Sequence, residues 1–220
     1  MSGWAEFAAA FAVFLASHAI PVRPPVRPWL IARLGRKGYF AAYSLLSIAI
    51  LAWLIGAAQR APFEAVLPQW QIWRWAPLLA MPLACYLAAA GMAAQNPLSF
   101  GGLGRRPFNP EFPGVLAVSR HPLLAALALW AGSHMLANGD LAHVILFGLF
   151  AGFAVMGMRI IDKRQQRDLR TGEWAALCRN TGLFRLSALR FQPVHAASAL
   201  AAFLVLLLMH VPVIGYSPLP

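Results

Sequence analysis

The chain has 220 residues, of which 60% are hydrophobic and only 11% charged, and its mean hydropathy is +0.63; soluble domains carry about a quarter charged residues. That composition excludes disorder, collagen-like repeats and an ordinary soluble domain, and puts the chain in a membrane. The formal charge of +11 would suggest nucleic acid if the basic residues made a face. They stand instead in short clusters between long apolar runs, so the expected partner is the lipid bilayer and not nucleic acid.

A helix needs about 20 mainly apolar residues to cross a hydrocarbon core of about 30 Å. Six such windows occur: Gly3 to Ile20, Gly38 to Ala58, Trp75 to Ala94, His121 to Ala137, Leu141 to Met158 and Val194 to Val213. The expected fold is all-α, a polytopic membrane helix bundle forming a single domain over residues 1–220. The first window is not read as a signal peptide, because Glu6 stands in it and the positive charges, Arg23, Arg27, Arg33, Arg36 and Lys37, follow it. The fourth and fifth windows are separated by Asn138-Gly139-Asp140, a tight turn between antiparallel helices.

With six spans and an outer N-terminus, every Lys and Arg except Arg60 and Arg74 falls on the cytoplasmic side, Arg105, Arg106 and Arg120 included. Both termini are therefore expected on the non-cytoplasmic side. Pro21 to Pro28 and Asn96 to Pro113 read as irregular segments rich in Pro and Gly. Residues 159–192 read as a basic cytoplasmic loop, with Thr171-Gly172-Glu173 as a turn and Trp174, Leu177, Leu183, Phe184 and Leu186 available to press on the bilayer surface or the helix ends. Two cysteines, Cys85 in an apolar run and Cys178 in a basic one, give no disulfide framework and no paired metal motif.

The six histidines carry most of the chemistry, since an ionisable group in a membrane helix is costly enough to ask for a role. The topology puts His18, His121 and His195 near the cytoplasmic ends of their helices and His134, His143 and His210 toward the outer ends. Each face thus holds imidazoles from different helices, the arrangement by which bundles bind a metal or haem; a helix end is also where an ordinary interfacial histidine sits. In Ser119-Arg120-His121-Pro122, Pro122 fits a helix start, and Arg120 and His121 before it can meet an anionic group or anchor the topology. No acidic residue falls mid-span, no phosphate-cradling glycine motif is present, and no Ser or Cys stands beside partners for a nucleophile triad.

Several stretches then resemble the NnrU family of bacterial inner-membrane proteins. They are Ser17-His18-Ala19, Leu34-Gly35-Arg36 with Tyr39 and Tyr43, Ser119-Arg120-His121-Pro122-Leu123-Leu124, Leu129-Trp130 with Ser133 through Asp140, and His210 followed by Gly215 to Pro220. The resemblance implies a role in denitrification, alongside the membrane enzymes of nitrite and nitric oxide reduction. It also implies haem b, because 15-cis-zeta-carotene isomerase is similar to this family and holds haem iron by histidine. Carried onto this chain, the axial ligands implied are His18 and His134, with His121 in the shared Arg-His-Pro motif.

Helix geometry favours other pairs. His134 lies 13 residues beyond His121, about 20 Å along a helix at 1.5 Å per residue, so partners at matched depth are His18 with His121, or His134 with His210. The site expected at the inner face comprises His18, Arg120, His121 and Asp162. The activity implied is redox or isomerase-like on an apolar small molecule, or that of a non-enzymatic sensor or assembly factor. A second resemblance, to membrane methyltransferases that use S-adenosylmethionine, rests on Arg-His-Pro and a downstream acidic pair; here Ile160-Ile161-Asp162-Lys163-Arg164 keeps one acid and replaces the other with Lys163.

Overall fold

The computed structural model describes residues 3–68, 70–105 and 107–220, so the expected cytoplasmic placement of Arg106 lies outside the described residues. Seven α-helices and no named strand occur among them: α1 (Gly3–Ala19), α2 (Val26–Arg60), α3 (Trp75–Ala93), α4 (Pro122–Asn138), α5 (Leu141–Asp168), α6 (Thr171–Cys178) and α7 (Pro193–Ile214). A helix lies over each of the six apolar windows. Four stretches, Val26–Arg60, Gln71–Ala93, Leu141–Asp168 and Pro193–Ile214, are long and apolar enough to cross a membrane; α1 and α4 have 17 residues each, about 26 Å of helix.

The helix ends follow local chemistry. Pro122 and Pro193 open α4 and α7, where a missing N–H costs nothing. Gly139 closes α4 at φ 67°, its N–H donating to Met135 O at 3.1 Å. The side chain of Asp140 then accepts from the His143 N–H, so Asn138-Gly139-Asp140 is the tight connection expected. Two boundaries depart from expectation. The helix α2 begins inside the Pro-rich segment and breaks at Gly35, where φ 69° and ψ 163° suit only glycine. Past Met158, α5 continues to Asp168, and Thr171-Gly172-Glu173 opens α6 instead of forming a turn. Glu173 in the first turn of α6 favours its positive end, and Trp174, Ala175, Ala176 and Leu177 sustain it.

The chain forms two compact units. One comprises residues up to Val66 with Asp140–Leu146; the other comprises Leu67–Gly139 with Phe147–Pro220. In the first, α1 packs on α2; α1 buries Phe7, Ala10 and Phe14, three and four residues apart and so on one face, and α2 buries Leu54, Ala57 and Ala58. Glu6 receives Arg60 Nη2 at 2.6 Å and Nε at 3.1 Å, with Trp53 Nε1 at 3.2 Å. Glu64 O accepts the N–H of Leu141, and its carboxylate accepts Trp4 Nε1.

In the second unit α3 packs against both α4 and α7. Its core is built largely from small residues, Ala84, Ala90, Ala125, Ala126, Ala154 and Ala199, around Leu87, Leu124 and Met158. Lipid tails remove the hydrophobic drive between helices, so close packing of small side chains must hold them together. The outward faces are correspondingly apolar: Leu79 is 76% exposed, and Val205, Leu208 and Val213 on α7 are exposed too. In water such faces would be an aggregation liability; in a bilayer they are the solvent contact.

The tightest approach lies between α3 and the start of α4. A Cβ on Gly91 would stand 2.7 Å from Pro122 Cγ and 2.8 Å from its Cβ, and a proline ring cannot swing aside. Gly91→Ala is expected to cost about 1–3 kcal/mol and lower the Tm of the detergent-solubilised protein. Gly132→Ala on α4, where nothing lies within 4 Å, is expected to leave Tm unchanged or slightly raised; thermal melts followed by circular dichroism compare the two.

Candidate functional site

The Arg-His-Pro motif sits in a short elbow before α4, folded by its own backbone. A 3-10 turn at Gly114–Ala117 leads into it, and the segment after α6 is clamped beside it. Arg120 N–H donates to Gly182 O at 2.8 Å, Gly182 N–H to Leu116 O at 3.2 Å and Arg185 N–H to Val118 O at 2.7 Å. Gly182 suits the place, because a Cβ would lie 3.0 Å from Ala117 O and 3.1 Å from Val118 O, so that those carbonyls would have to give by a few tenths of an ångström. Ser119, fully buried, accepts the His121 N–H on its Oγ at 3.1 Å.

The elbow aims Arg120 and His121 at one carboxylate. Asp162, 7% exposed on α5, accepts Arg120 Nε at 3.0 Å on each oxygen and Nη2 at 2.7 Å on Oδ2. His121 Nε2 lies 2.9 Å from Asp162 Oδ1. An ionised carboxylate only accepts, so Nε2 carries the proton. Arg120 already balances Asp162, and a second charge on the fully buried imidazole would have no anion to meet, so neutral His121 presents Nδ1 as an acceptor. Ser99 Oγ stands 3.0 Å from that nitrogen and donates to it.

Ser99 itself is set by Asn96 at the end of α3. Asn96 Oδ1 accepts the N–H of Leu98 at 3.0 Å and of Ser99 at 3.1 Å, while its Nδ2 donates to Arg120 O at 3.0 Å. On its other side the Arg120 guanidinium lies 5.9 Å from the centre of the Trp174 ring on α6. Cys178 on the same helix is a free thiol, pushed up from its ordinary pKa by burial against the smaller opposing pull of Arg120. It is therefore a protonated side chain and not a ready nucleophile.

The structure thus brings together Arg120, His121 and Asp162, all of the second unit, as the sequence suggested. Ser99 and Asn96 join them without having been singled out, Trp174, expected only to press on the bilayer surface or the helix ends, meets Arg120, and the reading that no serine has triad partners is corrected by the Ser99 to His121 contact. Only the side-chain pairing of Asn96-Pro97-Leu98-Ser99, an Asx turn after a helix, could have hinted at it. His18 belongs to the first unit, on α1.

Three of the remaining imidazoles share one pattern. Nδ1 of His18 donates to Phe14 O at 2.8 Å, Nδ1 of His134 to Trp130 O at 2.8 Å and Nδ1 of His210 to Tyr216 O at 2.7 Å. Each is only partly buried, and its Nε2 makes no hydrogen bond among the described residues. That backbone bond fixes the tautomer in which Nε2 is an acceptor, so these three imidazoles would fit the donor set of a histidine-held haem iron. His121 does not fit it: both ring nitrogens are engaged and the ring is 0% exposed. His143 is bonded through Nδ1 to Asp140 at 2.7 Å. Among the described residues no three His, Cys, Asp or Glu side chains gather to hold a bare metal ion.

One cavity lies near the site. An apolar trough of about 350 Å³ between α4 and α5 is lined by Ala125, Leu129, Val155, Met158 and Phe184, with Arg159 at its edge.

Comparison with known proteins comes down to one match. The model of the NnrU family, described as NnrU protein, matches residues 6–218. No curated protein and no solved structure matches.

Cutting the buried ion pair tests how the elbow is held. Asp162→Ala leaves Arg120 without a counter-charge and is expected to cost about 3–5 kcal/mol, the usual penalty for a stranded buried ion. The double variant Arg120→Ala/Asp162→Ala is expected to lose less than the sum of the two single losses, read as Tm in one detergent.

Proposed function

The chain belongs to the NnrU family, and from that membership and the state of its imidazoles we propose that it is an integral protein of the bacterial inner membrane that binds haem b and supports nitrite and nitric oxide reduction. The observation that carries this reading is the shared bonding of His18, His134 and His210, each with Nδ1–H on a backbone carbonyl and Nε2 left over. His134 is the ligand common to the pair implied by the family resemblance and to the pair matched in depth. His210 is taken as its partner, because both belong to the second unit and both stand toward the same end of their helices in the six-span reading. His18 in its place is what the resemblance implies.

When bound, such a haem supplies one-electron chemistry at low potential, or a coordination position that opens to a diatomic or apolar substrate. The chain's own part is to fix ring orientation through the backbone carbonyls of Trp130 and Tyr216, and to shelter the His134 ring against Trp130 and Phe147. The apolar trough at Ala125, Met158 and Phe184 offers room for an apolar small molecule. The methyltransferase reading has less support, because both oxygens of Asp162 are committed to Arg120 and His121.

Spectra of the purified protein, oxidised and then reduced with dithionite, test this. A Soret band that shifts on reduction is expected. It should be lost in His134→Ala, lost or converted to a high-spin form in His210→Ala, and kept in His18→Ala; loss in His18→Ala with retention in His210→Ala would assign the pair to His18 and His134. A colourless protein from haem-supplied cells overturns the cofactor, and S-adenosylmethionine binding abolished by Arg120→Ala would then favour methyl transfer.

The same reading includes six spans with both termini outside the cytoplasm. A green fluorescent protein fused after Pro220 is expected to stay dark, since it matures only in the cytoplasm, whereas one inserted after Arg179 is expected to fluoresce.

A further inference from the structure

The contacts around His121 form a chain that the haem reading does not use. Ser99 Oγ–H donates to His121 Nδ1 at 3.0 Å, and His121 Nε2–H donates to Asp162 Oδ1 at 2.9 Å. A hydroxyl, an imidazole in the right tautomer and a buried carboxylate in series make up the unit that activates serine for attack on a carbonyl. The imidazole edges are used in the order opposite to the familiar one, but the proton path needs only a donor and an acceptor on separate nitrogens.

Three further features bear on Ser99. It is only half-buried although His121 is completely so, and thus the hydroxyl is the part of the relay that a substrate can reach. The next two backbone N–H groups, of Phe100 and Gly101, donate to no acceptor among the described residues, and an N–H just after a nucleophile is the common donor to a developing oxyanion. Gly101, at φ 91°, lets the loop close on Leu123 of α4, where a Cβ would run into the leucine side chain. That seats Ser99 against the helix opened by His121.

The surroundings select the substrate class. Phe100 is exposed beside the hydroxyl, and Leu103 is 80% and Phe112 83% exposed in the same loop region. Apolar side chains that face outward at the head of a membrane helix meet lipid. The apolar trough starts one turn from the relay on both helices, at Ala125 four residues after His121 and at Met158 four before Asp162, and its volume of about 350 Å³ suits an alkyl chain.

We propose that Ser99 and His121 form a catalytic pair, positioned by Asp162, that hydrolyses the carboxylic ester of a lipid-like acyl substrate at the membrane surface. Ser99 Oγ bonds to the carbonyl carbon as its proton passes to His121 Nδ1. Collapse of the tetrahedral adduct breaks the ester C–O bond, and the leaving alkoxide takes that proton and departs as the alcohol. Water then attacks the acyl-Ser99 ester, giving its proton to Nδ1. The carboxylic acid leaves as Ser99 regains its hydrogen, and no oxidant or reductant is consumed. Arg120 holds the Asp162 carboxylate in place; sharing the carboxylate also leaves less of its charge for the imidazolium, so turnover is slower than with an undivided anion.

The test uses the detergent-purified full chain and an alkyl fluorophosphonate probe, with p-nitrophenyl acetate and p-nitrophenyl decanoate as substrates. Expected are covalent labelling mapped to Ser99 by peptide mass spectrometry, decanoate hydrolysis faster than acetate, and loss of about tenfold or more of both labelling and hydrolysis in Ser99→Ala. That variant removes one hydroxyl, and its Tm and helix content verify that it is folded. Asp162→Asn, compared at equal helix content, should shift the pH profile of the labelling rate, which loss of packing alone does not do. A folded protein that leaves Ser99 unlabelled, or a Ser99→Ala variant that hydrolyses as well as the parent, overturns the catalytic pair. Acetate preferred over decanoate overturns the lipid class, and an unshifted pH profile overturns the role of Asp162. The haem spectrum of Ser99→Ala is expected to match the parent, so this reading and the haem reading fail separately.

Discussion

Taking an ionised carboxylate out of water costs several kcal/mol unless donors fill its oxygens, and among the described residues that requirement is met for Asp162 by Arg120 and His121. Meeting it fixes more than one contact. The elbow before α4 must turn both side chains toward α5, which its backbone bonds to Gly182, Leu116 and Val118 achieve. Asn96 must then hold the end of α3 against the same elbow. The ion pair is therefore the point at which α3, α4, α5 and the segment after α6 are made to agree.

The rest of the packing follows the opposite rule. Along the apolar stretches the helices meet through alanine and glycine, where dispersion over short distances replaces burial from water. Polar specificity at one end and close, nearly featureless contact along the length are complementary. The first sets which helices meet and in what register, and the second holds them once met. Substitutions are accordingly felt in different ways, as stranded charge in the elbow and as steric displacement at Gly91.

Much of this was legible in the amino-acid sequence, and what was not has identifiable causes. Apolar length located a helix at each of six windows, four of the stretches being long and apolar enough to cross a membrane. It said less of helix ends: α5 outruns its apolar stretch because Arg159, Lys163 and Arg164 continue a helix as readily as leucine does. Likewise the break at Gly35 has no hydropathy signature, being a matter of φ alone. In the site, Arg120 and His121 stood out by motif, and Asp162 as the one acid at the position of an expected pair. Ser99 was invisible, because it meets His121 across 22 residues of irregular chain, and no periodicity runs through a loop of prolines and glycines. Depth along a helix had offered His121 as a partner for His18; the structure engages both of its ring nitrogens, a fact of bonding that position cannot disclose.

The stacking of Arg120 on Trp174 also gives the protein an optical handle. A guanidinium held 5.9 Å from an indole centre perturbs the excited state of that ring, and the same guanidinium is paired with the carboxylate of Asp162. Any event that draws Arg120 away from its anion thus changes the emission of a tryptophan on a short surface helix. The buried end of the molecule is in this way wired to a chromophore it already owns.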